Sequence, residues 1–452
     1  MIGKLSVTRQ LTGLLTLALI TALAGCGGAP AGQAPASTPS AATPQAPATA
    51  PTGQAPAPPA SIKIGVIYPL SGPQAQTGND MKAAIELALA IINQDMGDLP
   101  FALAPGTGLP NLGGATIEVI FGDSQAKADI GQSEAERLLN EGVVALYGAY
   151  NSAVTKTASS VAERAGIPFV NGESSSPDLT ERGYRWFFRT SPTDLDFSRV
   201  MFAFLKEFQE RQGVTLNGVA LFYEDTDFGV NSATAQKRFA EEYGIPVLGE
   251  VKYRSGSAAL TGEIQQLKSF NADVLLPSSY VNDAILTVKT ARELGFAPQL
   301  IIAQNAGYLD NAFLETTGAD AEGILSRAAY AADITQAKDL AARIDQMYRQ
   351  SHDRPLTDAP ARAFTGFMAL AEAINRAGST DPEAIRAALA ATDIPPDQLI
   401  MPWQGIKFDE KGQNSLGQAI LVQRQNGAYV TVYPFEFASS EVRFPGVAWA
   451  NR

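Results

Sequence analysis

Two serine–lysine pairs come closest to the residue types that nucleophilic catalysis needs. Ser124-Gln-Ala-Lys127 has the spacing of a serine nucleophile with a lysine base. The Ser-Asp-Asn and Lys-Thr-Gly motifs that accompany such pairs are absent, so Lys127 reads as a solvated side chain. Ser152 is followed by Lys156, one residue too far on, and no Gly-x-Ser-x-Gly elbow occurs. His352 is the sole histidine, which excludes multi-histidine metal sites. Beside Asp353 and Arg354 it reads as a surface helix residue. Gly106-Thr-Gly108 is followed at the wrong spacing for a dinucleotide fingerprint and sits in a Pro-rich stretch, so it reads as a turn. No catalytic set, metal or cofactor is expected.

The remaining reactive group is Cys26, the only cysteine. It ends Leu23-Ala24-Gly25-Cys26, behind a basic amino end with Lys4 and Arg9 and an apolar run over 11–24. A charged start, a short apolar core and small residues at the cut are what an export signal needs. The run, about 14 residues, is shorter than the roughly 20 that a helix needs to span a bilayer. The tetrapeptide resembles a bacterial lipobox, cut just before a cysteine whose thiol is then lipidated. The expectation is a signal peptide at 1–25, lipidation at Cys26 and an extracytoplasmic, membrane-anchored protein, in the periplasm or on the cell surface. With no second cysteine, internal disulfides are excluded and a conventional core must hold the fold.

Residues 26–60 are nearly all Ala, Pro, Gly, Thr, Ser and Gln, without charge or large apolar side chains. Such a segment cannot bury enough surface to offset ordering entropy. Its prolines bias it toward an extended, semi-rigid tether. The formal charge is -12, and removing 1–25 takes away Lys4 and Arg9 and no acid, giving -14. An acidic chain without clustered Lys and Arg argues against nucleic acid as a partner.

From Ser61 the pattern alternates. Val/Ile-rich runs at 62–68, 116–121, 143–147 and 168–170 read as buried strands, with helices at 81–92, 131–139 and 154–165. The rhythm restarts with strands at 218–223, 246–253, 273–276 and 299–303 and helices at 230–243, 259–270 and 281–294. A helical block at 336–391 and short strands at 405–408, 418–423 and 429–433 follow. Alternating β and α elements imply right-handed crossovers and mainly parallel sheets covered on both faces. Two such series predict two lobes, with a ligand crevice at the carboxyl ends of the strands.

The opening Ile62-Lys-Ile-Gly-Val-Ile-Tyr-Pro-Leu-Ser-Gly-Pro73, followed by Gly78, resembles the first strand and loop of periplasmic binding proteins of the branched-chain amino acid type. The likeness continues through Phe121-Gly-Asp-Ser124, Tyr147-Gly-Ala-Tyr-Asn-Ser152, Ala165-Gly-Ile-Pro168, Ser174-Ser-Ser-Pro-Asp-Leu-Thr180 and Phe188-Arg-Thr190. Late in the chain, Phe408-Asp-Glu-Lys-Gly412 matches a turn of the same family. The ordered set covers nearly everything from Ile62 onward. It implies an α/β, type I periplasmic-binding-protein fold: two doubly wound βαβ lobes joined by a hinge. The implied layout is lobe 1 at 61–190, lobe 2 at 191–323, a return to lobe 1 at 324–402 and C-terminal strands of lobe 2 at 403–452.

The resemblance also implies site residues. Ser152 falls where the family binds a ligand carboxylate, and at the opening of a helix its hydroxyl and neighbouring N–H groups suit an anion. Ser174 and Ser175 fall where a carbonyl and a hydroxyl meet the α-amino group. Phe228 matches an aromatic wall from the second lobe and Tyr280 a second-lobe tyrosine that reaches the ligand. Asn305 lies in Gln304-Asn305-Ala306-Gly307, at a strand end where amino acid binders often place an acid; this chain has none there. Asp227 or Asp283 is left to supply that charge. Thr77 stands where an aromatic residue is common. The implied function is that of a monomeric solute receptor of an ABC importer, binding hydrophobic or branched-chain amino acids or related small carboxylates. Its partners are the ligand, a membrane permease and the lipid anchor at Cys26. The alternatives are a sensing lipoprotein on the same fold, or a receptor for amides, urea-like solutes or aromatic acids.

Overall fold

The structure, a computed structural model, describes residues 60–447 and residue 449. The signal segment, Cys26 and the tether up to residue 59 lie outside the described residues. The first sheet contains β1 (Ser61–Tyr68), β2 (Thr116–Asp123), β3 (Ala145–Gly148), β4 (Phe169–Asn171) and β5 (Phe187–Arg189), all parallel in the order β2-β1-β3-β4-β5. Helices α1 (Ala75–Asn93), α2 (Ala128–Asn140) and α3 (Ser152–Ala165) make the crossovers. Alternate residues of β1 serve two cores: Ile62, Ile64, Val66 and Tyr68 pack toward α1, and Ile67 toward α2 and α3. Burial on both faces is why this strand reads as a continuous apolar run.

The second lobe opens with α4 (Asp194–Gln212). Its start is fixed by a capping box between Thr193 and Asp196, and its apolar face runs through Phe197, Met201, Phe204, Leu205 and Phe208. Strands β6 (Val219–Glu224), β7 (Val247–Tyr253), β8 (Val274–Ser278), β9 (Leu300–Ala303) and β10 (Leu325–Ala328) are parallel. They alternate with α5 (Asp227–Tyr243), α6 (Thr261–Ser269), α7 (Val281–Glu293) and α8 (Asn311–Thr317). In β6, Ala220 and Phe222 face one core while Val219, Leu221 and Tyr223 face the other.

The chain then returns to the first lobe as α9 (Asp339–His352), α10 (Asp358–Ala377) and α11 (Pro382–Ala390), with α9 and α10 packed on α1. A small ribbon, β11 (Asp393–Ile394) with β12 (Ile406–Lys407), precedes the antiparallel hairpin β13 (Ile420–Gln425) and β14 (Ala428–Tyr433). The hairpin turns at Asn426 and Gly427, both at positive φ, the conformation a tight two-residue turn demands. It joins the edge of the second sheet, whose order is β14-β13-β10-β9-β8-β6-β7.

Two expected boundaries shift. The return at 324 is too early, because β10 is a central strand of the second sheet. The final crossing at 403 is also too early: Trp403, Ile406 and Phe408 share the core of α1 and α10, and the second lobe is regained only at β13. Elements β5, α4, α8 and β10 are additions to the sequence reading.

Gly78 shows why the first loop needs its glycine. A Cβ there would sit 2.0 Å from the Pro69 carbonyl oxygen, so α1 lies directly against the end of β1. Gly78→Ala is expected to lower the unfolding free energy by about 1–3 kcal/mol, as overpacking does. Urea titration followed by circular dichroism would read it; an unchanged midpoint would mean that the loop yields.

Candidate functional site

Each wall of the interlobe site is built where strands end. After β3, Tyr150 and Asn151 lead into α3. Asn151 holds the cap position and Ser152 is the first helical residue, buried at the cavity edge. Ser152 is therefore not the helix cap, and the Asn151 amide donates to Gln74 Oε1 at 2.8 Å. After β4 comes Gly172-Glu173-Ser174-Ser175. The Ser174 hydroxyl donates to the Ala149 carbonyl at 2.8 Å and lies 2.7 Å from Thr155 Oγ1, so it fixes the loop. Arg189, fully buried at the end of β5, holds the same loop by donating to the Ser174 and Ser176 carbonyls at 3.2 and 2.6 Å. The Ser175 hydroxyl faces the other lobe.

From the second lobe, Phe228 sits in the first turn of α5 and Tyr280 at the cap position of α7. The buried Glu224 carboxylate accepts the Tyr280 N–H at 3.2 Å and places that turn. The Tyr280 ring packs on Phe228 at 5.2 Å and, across the cleft, on Tyr150 at 5.5 Å. The tilted Tyr150–Tyr280 contact, which crosses the cleft, favours the closed arrangement.

Five of the six expected contacts, Ser152, Ser174, Ser175, Phe228 and Tyr280, line one cavity. The sixth, Asn305, lies beside it. Its side chain donates to Asp358 Oδ2 at 2.7 Å, while its neighbour Ala306 lines the cavity. Sequence reasoning missed Tyr150, Glu173, Arg327 and Arg362, all of which line the same space.

Those charged groups set its electrostatics. Arg362 on α10 is clamped between Asp358 Oδ2 at 2.8 Å and the Glu173 carbonyl at 2.6 Å. Arg327 on β10 lies over the Phe197 ring, 3.6 Å from its centroid. Burial, followed by the nearby Arg362 charge, lowers its pKa to about 10, so it remains a cation at neutral pH. Burial pushes Glu173 up to about 7, against the hydroxyls of Tyr68 and Tyr147 that donate to its Oε1. Neither Asp227 nor Asp283 reaches the cavity. Asp227 pairs with Lys156 across the lobes at 3.1 Å, and Asp283 accepts from the Gly256 N–H at 2.9 Å. Thr77, where an aromatic was the common residue, instead donates to Asp310 of the opposite lobe.

Further ties cross the cleft, including Asn311 to Asp80 at 3.1 Å. The lobes are closed on a space of roughly 10 Å³, about the least that can hold one water molecule. A groove of about 800 Å³ elsewhere is far larger, but its charged groups are spent internally. Asp196 pairs with Arg199, Lys338 donates to two carbonyls, and Asp333 accepts from Thr431 and Ser439. Chemistry favours the smaller cavity. The serine–lysine spacing at 124–127 carries none: the Ser124 hydroxyl accepts the Ala126 N–H, and Lys127 points to Gln125. His352 ends α9, half-buried and stacked on Tyr348.

The family model for periplasmic binding proteins matches residues 61–428. The chain belongs to the periplasmic binding protein family. A Leu/Ile/Val-binding protein homolog 7 from Brucella suis biovar 1 is 30% identical over 399 residues, covering 85% of this chain and 94% of the relative. Among solved periplasmic binding proteins, the leucine-binding protein LivK of Thermotoga maritima aligns with a TM-score of 0.70 at 22% identity, over 83% of this chain and all of that one. A solute-binding protein of Rhodopseudomonas palustris in complex with 3,4-dihydroxybenzoic acid aligns with a TM-score of 0.69 at 20% identity, over 85% and 98%. The two-lobe, type I architecture is therefore that of this periplasmic binding protein also.

Proposed function

We propose that this protein is the solute receptor of an ABC importer, closing its lobes on a small organic acid, with or without an α-amino group. The observation that carries the reading is the convergence of Ser152, Ser174 and Ser175 from one lobe with Phe228 and Tyr280 from the other on one cavity. Ligand binding opens and refills that space, and hinge closure excludes water. Relatives named for leucine, isoleucine and valine support amino acids. The Tyr150, Phe228 and Tyr280 rings, and a structural neighbour holding dihydroxybenzoic acid, support aromatic acids equally. In this reading the lipid on Cys26 and the tether hold the receptor near its permease and raise its effective concentration.

A thermal-shift screen of residues 61–452 against amino acids, aliphatic and aromatic acids, amides and sugars tests it. A ligand at about 100 times its Kd stabilises by roughly 2.7 kcal/mol. Stabilisation by at least one acid is the expected result. Silence across the panel from folded, ligand-free protein would sink the proposal.

A further inference from the structure

Arg327 stands apart from the other buried cations. Arg189 spends its whole guanidinium on carbonyls and side chains of the fold, and Arg362 leaves only its Nε unmatched among the described residues. Arg327 is 2% exposed, yet its Nε and Nη1 have no acceptor among the described residues. Its Nη2 has only the Ser175 hydroxyl, at the outer limit of 3.5 Å. A buried guanidinium with unmatched N–H groups is costly unless something supplies the acceptors. It lines the same cavity as Ser152, the first residue of α3, whose N-terminal N–H groups also favour negative charge. Two independent features, from opposite lobes, thus present unmatched N–H donors to one small space, beside the Glu173 carboxyl and near the buried Asp194 and Asp358. The Phe197 face beneath the guanidinium and the strand that carries it hold its position.

Resting on the receptor reading above, we infer that Arg327 is a specificity-determining residue that requires an anionic group on the ligand, a carboxylate, and rejects the neutral amide of the same shape. A carboxylate supplies acceptors to the unmatched N–H groups and adds its charge to those of Asp194 and Asp358 near the guanidinium. An amide offers one acceptor oxygen, no charge, and an NH2 group turned toward a cation. The residue comes from β10, next to the crossing between the lobes, so it engages the ligand from the second lobe while α3 engages it from the first. An acid then stabilises closure from both sides, and a neutral solute does not.

The test compares matched acid and amide pairs by isothermal titration at pH 7.5: benzoate with benzamide, 3-methylbutanoate with 3-methylbutanamide, and L-isoleucine with L-isoleucinamide. For wild-type protein the acid of a binding pair should win by about tenfold to a hundredfold, the range of a charge-assisted hydrogen bond. Arg327→Gln should bring acid and amide close to parity, and Arg327→Lys should keep part of the preference. A merely structural arginine would weaken both members together and leave their ratio intact. An unchanged ratio in Arg327→Gln overturns the inference. So does wild-type protein that binds amide as well as acid, a measurement that stands even where the variants fail to fold; in that case the receptor reading survives. Binding of neither member of any pair overturns the inference and counts against the acid-receptor reading as well.

Discussion

Replacing Asp358 with alanine is expected to lower the unfolding free energy by about 3–5 kcal/mol, the scale of stripping one partner from a buried ion pair. Asp358 is 2% exposed and both of its oxygens are occupied. Oδ2 accepts from Arg362 at 2.8 Å and from Asn305 at 2.7 Å. Oδ1 accepts the Ala329 and Tyr330 N–H groups at 2.7 and 3.0 Å, where the chain leaves β10. Alanine would leave Arg362 buried with the Glu173 carbonyl as its remaining partner and strand two backbone donors. Asp358→Asn should lose less, because its amide still offers one acceptor. Guanidinium titrations of both variants would read the order, and a loss below about 1 kcal/mol for alanine would contradict this account. Since Asn305 belongs to the opposite lobe, closure should weaken in parallel.

Stability should fall, not rise, between pH 5.5 and pH 8.5. Burial pushes Glu173 up to about 7 and Glu224 up to about 8, with hydrogen bonds from Tyr68 and Tyr147, and from the Tyr280 N–H, opposing it. In the unfolded chain a glutamate titrates near 4.3. The native state therefore binds these protons more tightly. The stabilisation is complete below the unfolded pKa and is lost as pH rises through 7 and 8. Each group contributes on the order of 2–4 kcal/mol across that window. Urea midpoints at pH 5.5, 7.0 and 8.5 would show the decline. Glu173→Gln and Glu224→Gln, which mimic the protonated acids, should each flatten it. A midpoint that climbs with pH would refute the assignment.

The β–α rhythm made most of the fold legible. Strands buried on both faces, such as 62–68, are continuous apolar runs, and the helices between them begin and end at recognisable punctuation. Helix α4 went unread although its signal was present: Thr193-x-x-Asp196 followed by Phe197, Met201, Phe204 and Phe208 is a capping box with an apolar stripe. Strand β10, Leu325-Ser-Arg-Ala328, carried no such signal: half of it is polar, which is the pattern of a surface turn rather than a central strand. The same holds at the site. The serines and aromatics were visible through their motifs, but Glu173, Arg327 and Arg362 are charged, and a charged residue in a sequence reads as solvated. Only the fold brings them into one space. Local rules failed where burial of charge depends on partners far away in the sequence.

The packing of α9 and α10 on α1 also has a consequence in time. Tyr348 donates to the Asp80 carbonyl at 2.8 Å, yet the two residues are 268 positions apart. At ribosomal rates of about 5–20 residues per second, roughly 15–50 s separate their appearance. Throughout that interval the apolar face of α1 has no α10 to cover it, and the first lobe cannot finish folding. Completion of the first lobe therefore waits on helices that are made late in the chain.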